Sequence, residues 1–289
     1  MKLASLTIFI LTLSSLSCFS QVNSAGLCVM TFNIRYDNPG DGEYAWTRRK
    51  PMVLDVIANN KPDIIGMQEV LKSQLDTLMM VLPGYNSYGV GRDDGNEAGE
   101  YVPVFYRRSR FELLEQGTFW LSDKPETPGS IAWGSACKRI VSWVKLEDKS
   151  SRQTLYVFNT HFDYLLTSTR IKSARLLKKK IKQIAGSESQ IIVMGDFNEG
   201  QSGKMYQIIT SPKKSGALRD TRAHATKREG PQFTFVGFPF SPDSEEPIDM
   251  VFFRGGKQSK VVRYKVDDYN RNGKYPSDHL PVVVWLQME

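Results

Sequence analysis

Two short strings carry residue types able to do chemistry: Met194-Gly195-Asp196-Phe197-Asn198 and, near the C-terminus, Ser277-Asp278-His279. Each puts a carboxylate beside a second polar group at the border of an apolar, strand-like run. A strand interior would not hold Asp-x-Asn or Asp-His, because unpaired buried charge is expensive. A strand end facing a cleft holds them well. Other strand-like runs end on similar groups. The first gives Asn33 and then Arg35, the second Gln68-Glu69, the third Tyr106, and the fifth Asn159, His161 and Asp163. Asp249 opens a later one. The chain has three histidines, and two of them fall in this set.

These types suit metal-assisted hydrolysis of a phosphate ester. That reaction needs an oxygen nucleophile, charge neutralisation on the phosphoryl oxygens and help for the leaving group. Mg²⁺ favours hard oxygen ligands and keeps several waters, so one or two carboxylates suffice. Glu69 is the best single ligand, with Asn33 and Asp278 near it. Asp196 can orient and deprotonate a water. Asn198 can donate a hydrogen bond to the developing oxyanion. His279 can donate to a phosphoryl oxygen, with Asp249 fixing its tautomer. His161, Tyr106 and Arg35 are further phosphate donors.

The elements that must position these groups are readable from periodicity. Runs rich in Val, Ile, Phe and Tyr predict strands at 27–33, 64–68, 102–106, 140–146, 154–160, 190–194, 248–253, 261–266 and 281–286. Apolar stripes predict helices at 51–60, with Pro51 in the first turn, at 73–82, capped by Ser73, and at 168–185, stopped by Gly186. A short helix is expected over 203–210. Strands and helices alternate at first and strands then cluster. The pattern predicts a mixed sheet pair with helices outside, a layered α/β sandwich. No repeat or linker divides the chain, so one domain from about Gly26 to Glu289 is expected. Stretches 36–49, 89–100 and 121–136 read as long loops of the kind that rim functional sites, pinned by Trp46, Trp120 and Trp133. The aromatic run Phe233 to Phe240 reads as core packing.

Composition bounds the rest. At 289 residues with ordinary apolar and charged fractions, the chain is long enough for one large α/β domain or two small ones and is not a disordered one. Its net charge of +7 suits a polyanionic or phosphate-bearing substrate, although clusters such as Lys178-Lys179-Lys180 and Lys213-Lys214 usually form solvated faces. Residues 1–20 have the layout of a signal peptide, with Lys2 before the apolar run Leu3 to Leu13 and cleavage expected after Ser20. Export to the periplasm or the extracellular space follows as an expectation. No later segment is apolar for long enough to span a membrane. Cys28 and Cys137 remain after cleavage and are too few for a disulfide framework; whether they pair is open.

The ordered set Phe32-Asn33-Ile34-Arg35, Gln68-Glu69, Gly195-Asp196-Phe197-Asn198, Ile248-Asp249 and Ser277-Asp278-His279 resembles the endonuclease/exonuclease/phosphatase superfamily. The resemblance covers nearly all of the mature chain. It implies a four-layer α/β/β/α sandwich of two packed mixed sheets with outer helices, and a Mg²⁺- or Mn²⁺-dependent attack of water on phosphorus. It implies Glu69 as metal ligand with Asn33 and Asp278 close by, Asp196 and Asn198 as the groups that position water and phosphate, and Asp249-His279 as a pair. His161 matches the histidine of the mid-chain motif, and Arg170 stands where several members keep an arginine that meets substrate. Gly91-Arg92-Asp93-Asp94-Gly95, Phe119-Trp120-Leu121-Ser122 and Thr234-Phe235-Val236-Gly237-Phe238 resemble an exported bacterial subgroup near the deadenylase-like branch. The His-x-Asp at His161 departs from the apurinic endonucleases, which speaks against abasic-site repair. The expected protein is a monomeric phosphodiesterase acting on nucleic acid or a nucleotide. The alternatives are a phosphomonoesterase on inositol or sugar phosphates, a sphingomyelinase-like enzyme, and a binding module without turnover.

Overall fold

The computed structural model describes residues 26–212, 217–241 and 245–289. The expected signal peptide and the Lys213-Lys214 pair lie outside the described residues. The strands are β1 (Leu27–Asn33), β2 (Ile64–Gln68), β3 (Tyr85–Tyr88), β4 (Val104–Arg107), β5 (Phe111–Trp120), β6 (Ile140–Asp148), β7 (Thr154–His161), β8 (Gln190–Asp196), β9 (Arg219–Asp220), β10 (Ala225–Glu229), β11 (Asp249–Arg254), β12 (Lys260–Val266) and β13 (Val282–Gln287). The helices are α1 (Trp46–Asn60), α2 (Lys72–Val81), α3 (Thr167–Ala185), α4 (Lys204–Thr210) and the single turn α5 (Thr221–His224).

Seven strands form one sheet in the order β10-β12-β13-β1-β2-β4-β3, and six form the other in the order β5-β6-β7-β8-β11-β9. Both are mixed: β1 runs parallel to β2 and antiparallel to β13, while β8 runs parallel to β7 and antiparallel to β11. Strand alternation sorts the side chains into three apolar layers. Val29, Ile64, Val104, Val157, Ile192, Val251 and Val284 meet between the sheets. Met30, Phe32, Ile65 and Phe105 point the other way, against Val53, Val56 and Ile57 of α1 and Leu78 of α2. Phe158, Ile191, Val193 and Phe252 pack under Ala174, Leu177 and Ile181 of α3 and Met205 and Ile209 of α4. The result is the expected four-layer α/β/β/α sandwich. Full burial of each such side chain contributes about 1.5–3 kcal/mol, so all three layers contribute to stability.

Several boundaries depart from the sequence expectation. Helix α1 starts at Trp46 and carries Pro51 inside it, because Trp46 and Arg49 are buried and extend the packing face by more than a turn. Stretch 36–49 is therefore partly helical, with a 3-10 segment over Pro39–Tyr44. Ser73 is not the cap of α2; Leu71 holds that position, and Gln74 Oε1 accepts from its N–H at 3.0 Å. Strand β5 lies outside the expected runs, and its five residues from Glu112 to Gln116 are exposed or half-exposed.

One polar cluster joins the sheets. Asn159 of β7 donates to the carbonyls of Met67 and Pro103 at 2.8 and 2.9 Å and accepts from Gln68 Nε2 at 2.6 Å. Asn159 thus crosses between the sheets and does not reach the cleft. Gly66 makes this crossing possible: a Cβ there would lie 2.7 Å from Asn159 Oδ1 and 2.9 Å from Met194 Cε. Gly66→Ala is expected to lower unfolding free energy by about 1–3 kcal/mol through overpacking, measured by denaturant titration; an unchanged midpoint would contradict the crossing.

Candidate active site

The same alternation that fills the inner core builds the site. Along β1 the inward positions are Leu27, Val29, Thr31 and Asn33; along β8 they include Ile192, Met194 and Asp196. Along β7 they end on His161, and β11 begins inward with Asp249. The register places Asp249 opposite Asp196, and Asp196 beside His161. Apolar residues therefore occupy one end of the inter-sheet space and polar ones the other. Three chain turns leave the strands through left-handed residues: Arg35 (φ 58°), Glu69 (φ 59°) and Asn198 (φ 51°). Non-glycine residues held there store strain of about 1–3 kcal/mol each, and such positions concentrate at functional sites. Gly195 is required for a different reason: a Cβ would stand 2.1 Å from the Thr160 carbonyl oxygen.

Asp196 is the centre of the arrangement. Its side chain is 1 % exposed. Its Oδ1 accepts from Asn198 N at 2.9 Å, and its Oδ2 accepts from Asn33 Nδ2 at 3.0 Å. The same Oδ2 lies 3.3 Å from His161 Nε2 and 3.7 Å from His279 Nε2. Burial, with the charge of Asp249 added, pushes the Asp196 carboxyl up to about 7. Burial opposes charge on His279 too, but Asp249 at 2.8 Å from Nδ1 and Asp196 beyond Nε2 outweigh it, and its pKa rises well above the usual histidine value. His161 goes the other way: burial and the nearby Arg139 hold it well below that value. At neutral pH the cleft thus presents one imidazolium, one neutral imidazole and one carboxyl poised to exchange a proton.

Across the cleft, Asn33 Nδ2 also donates to Glu69 Oε1 at 3.0 Å, so one amide links Glu69 to Asp196. Asp278 lies on the same wall, 3.5 Å from Arg35 Nη1, and Ser277 Oγ donates to the Asn33 carbonyl at 2.7 Å. Burial and the charge of Glu69 raise the Asp278 carboxyl, although His279 and Arg35 work in the opposite direction. Asp196, Asp249 and His279 offer ligand atoms within 4.8 Å of one another. His279 is charged and its Nδ1 is engaged by Asp249, so this trio is a hydrogen-bonded relay and a poor cation site. The oxygen-rich Glu69-Asp278 wall with Asn33 is the better fit for a hard divalent ion. The cleft has a volume of about 750 Å³.

The structure brings together Asn33, Arg35, Glu69, His161, Asp196, Asn198, Asp249, Asp278 and His279. Two expected substrate contacts are not there. Tyr106 lies opposite Ile64 because β4 runs antiparallel to β2, so its strand ends at the far side of the inner core and the ring packs there. Arg170 spends its donors on Glu199, the carbonyls of Asp163 and Tyr164, and Thr167 Oγ1, fastening the Asn198 turn to α3. Asn198 Nδ2 donates to the Phe162 carbonyl at 3.0 Å, which leaves one amide hydrogen for other use. Cys28 and Cys137 are both free thiols.

Residues to which the sequence analysis gave no site role line the same cleft. Arg92 and Glu100 come from loop 89–100, Arg139 precedes β6, and Phe235 meets the His279 ring edge-on at 5.1 Å between centroids. The run Phe233 to Phe240 is therefore only partly core. Buried Arg49 donates to the carbonyls of Ile34, Arg35 and Pro276, holding both backbones that carry the Glu69-facing wall. The rim loops were a usable signal for Arg92 and Glu100; nothing in the local pattern marks Arg49. Asp249→Asn removes the carboxylate that favours the His279 cation. The His279 pKa is expected to fall by at least one unit, read by NMR titration of its ring; an unmoved titration would contradict the pairing.

Comparison with known proteins places this geometry. The model of the Endonuclease/Exonuclease/phosphatase family matches residues 30–279. A crystal structure of an endonuclease/exonuclease/phosphatase from Bacteroides vulgatus is 38% identical, with a TM-score of 0.86 over 92% of this chain and 100% of that one. A mannosyl-6-phosphatase from Bacteroides thetaiotaomicron is 35% identical, with a TM-score of 0.83 over 91% of this chain and 100% of that one. A probable 3'-5'-exoribonuclease subunit Ccr4 of the CCR4-Not complex from Encephalitozoon cuniculi is 26% identical over 272 residues, 81% of this chain and 55% of that protein. The chain thus spans about half the length of that curated relative. The matched span runs from within the first site strand to His279 itself, and the chain belongs to the endonuclease/exonuclease/phosphatase family.

Proposed function

We propose that the chain is an exported, divalent-metal-dependent phosphoester hydrolase in which water attacks phosphorus. The observation that carries this is the buried Asp196 carboxylate, faced by His161 and His279 and joined through Asn33 to Glu69. Glu69 and Asp278, with Asn33, would hold Mg²⁺ or Mn²⁺, since their oxygens are hard donors and their crowded charges favour a cation between them. A bound cation would supply charge neutralisation on the phosphoryl group.

The chain's own groups divide the remaining work. The water oxygen forms a bond to phosphorus, and the bond from phosphorus to the ester oxygen breaks. The water proton passes to Asp196, whose raised pKa suits a base working near neutrality. The departing oxygen takes a proton from water in the open cleft. His279 donates from Nε2 to a phosphoryl oxygen, its ring held by Asp249. His161 and the free amide hydrogen of Asn198 are further donors to the same group.

For the substrate, a small phosphomonoester such as a sugar phosphate is favoured. Its support is the 750 Å³ cleft, which is the size of a small-molecule site, and the likeness to a mannosyl-6-phosphatase. A nucleic-acid diester is the second reading, supported by the net charge of +7 and the likeness to Ccr4. A panel of sugar phosphates, inositol phosphates, bis-p-nitrophenyl phosphate, RNA and single-stranded DNA, assayed with Mg²⁺, Mn²⁺ and EDTA, separates them. Metal-dependent release of phosphate from sugar phosphates is expected. Asp196→Asn should lower kcat by about 10²–10⁴-fold, and Glu69→Gln should raise the metal concentration needed. Turnover indifferent to EDTA would overturn the metal assignment. For export, the N-terminus of the protein recovered outside the cytoplasm is expected to be Gln21; an intact Met1 would contradict cleavage.

A further inference from the structure

The wall of the cleft beside His161 carries two arginines, Arg92 and Arg139. Arg139 stands at the head of β6, whose Val141 pairs with Thr160 of β7. Arg139 is 6% exposed, and its Nε has no hydrogen-bond partner among the described residues. Its ion pair, to Glu100 Oε2, is long at 3.9 Å. That oxygen is already taken by Arg92 Nη1 at 2.7 Å, and Arg92 Nε is also buried without a partner. Glu100 is thus the ion-pair partner of both guanidiniums; Asp163 also acts on Arg139, but its two oxygens are held by Ser135, Ala136, Leu165 and Leu166. His161 Nδ1, on the same wall, is likewise unpartnered among the described residues.

Leaving buried donors and a buried cation without a full set of acceptors costs free energy, so the arrangement calls for an anion with several oxygens. The side pocket between Arg92, Arg139 and His161 is about 10 Å³ and can hold at most one water. The anion must then dock from the main cleft, next to the His161-Asp196 contact. A phosphomonoester offers three non-bridging oxygens and up to two negative charges; a diester offers two and one. The third oxygen of a diester carries a carbon substituent, which this wall would have to admit.

We propose that Arg139, held with Arg92 around Glu100, binds the terminal phosphoryl oxygens of the substrate and selects phosphomonoesters over diesters. This rests on the phosphoester reading of the same site. The planar guanidinium fork matches two phosphoryl oxygens, which a lysine cannot do. Arg139 is the selecting contact and Arg92 the group that keeps Glu100 in place.

The test titrates inorganic phosphate into the full mature chain with Mg²⁺ by calorimetry, and compares wild type with Arg139→Gln and Arg139→Lys. Charge-assisted hydrogen bonds of this kind predict that Arg139→Gln weakens phosphate binding by about 10- to 100-fold, with Arg139→Lys in between. In turnover assays kcat/KM for a sugar phosphate should fall by a similar factor, while bis-p-nitrophenyl phosphate hydrolysis changes much less; retained diester hydrolysis also reports a folded site. Unchanged phosphate affinity in Arg139→Gln, no phosphate binding by wild type, or equal losses on mono- and diester would each overturn the proposal. Phosphate binding that depends on Arg139 in a chain that hydrolyses no ester would support the anion site and sink the enzymatic reading instead.

Discussion

A carboxylate cannot be buried alone, and Asp196 is the buried carboxylate around which this molecule is arranged. Asn33 and the Asn198 N–H donate to it, and the Nε2 atoms of His161 and His279 approach the same oxygen. Each partner is delivered by a different strand or strand end, and the strands come from both sheets. Satisfying one side chain therefore requires the two sheets to be packed in one register. The Asn159 crossing and the absence of a side chain at Gly66 enforce that register one layer below. The fold and the chemistry are linked at this point: a slip of one residue in β1 or β8 would turn Asn33 or Asp196 away from the other sheet.

Charge is distributed unevenly around that carboxylate. On one side the carboxylates Glu69 and Asp278 crowd a shared wall, with Arg35 as partial compensation. On the other, Arg92 and Arg139 share one Glu100. The first wall favours a cation and the second an anion. A phosphoester bound between them with a divalent ion would meet both demands, which neither half of the chain satisfies by itself. His279 stands where the two walls meet, and its hydrogen bond to Asp249 keeps it charged.

Much of this was legible in the residues. Largely buried strands such as β1, β8 and β13 announce themselves as near-continuous apolar runs, and polar groups at their ends stand out against that background. The layered fold followed from the same runs. Strand β5 was hidden because it is a sheet edge whose middle, from Glu112 to Gln116, faces solvent and breaks its apolar run. Tyr106 was misplaced because strand direction is a tertiary property: β4 carries its polar end away from the cleft once it pairs antiparallel with β2. Arg170 looked like a substrate contact until its partners were visible. Arg92, Glu100 and Arg139 lie in or beside loops, where no period marks which side chains turn inward; only the placement of those loops as rims hinted at them.

The central claim is that water, positioned at Asp196, attacks phosphorus. Hydrolysis of a sugar phosphate by residues 21–289 of the chain with Mg²⁺ in ¹⁸O-labelled water tests it most directly, with mass spectrometry of both products. The account predicts one labelled oxygen in the released inorganic phosphate, none in the sugar, and loss of label incorporation in Asp196→Asn. Label appearing in the sugar, which would mean cleavage of the carbon-oxygen bond, or undiminished incorporation by Asp196→Asn, would contradict it.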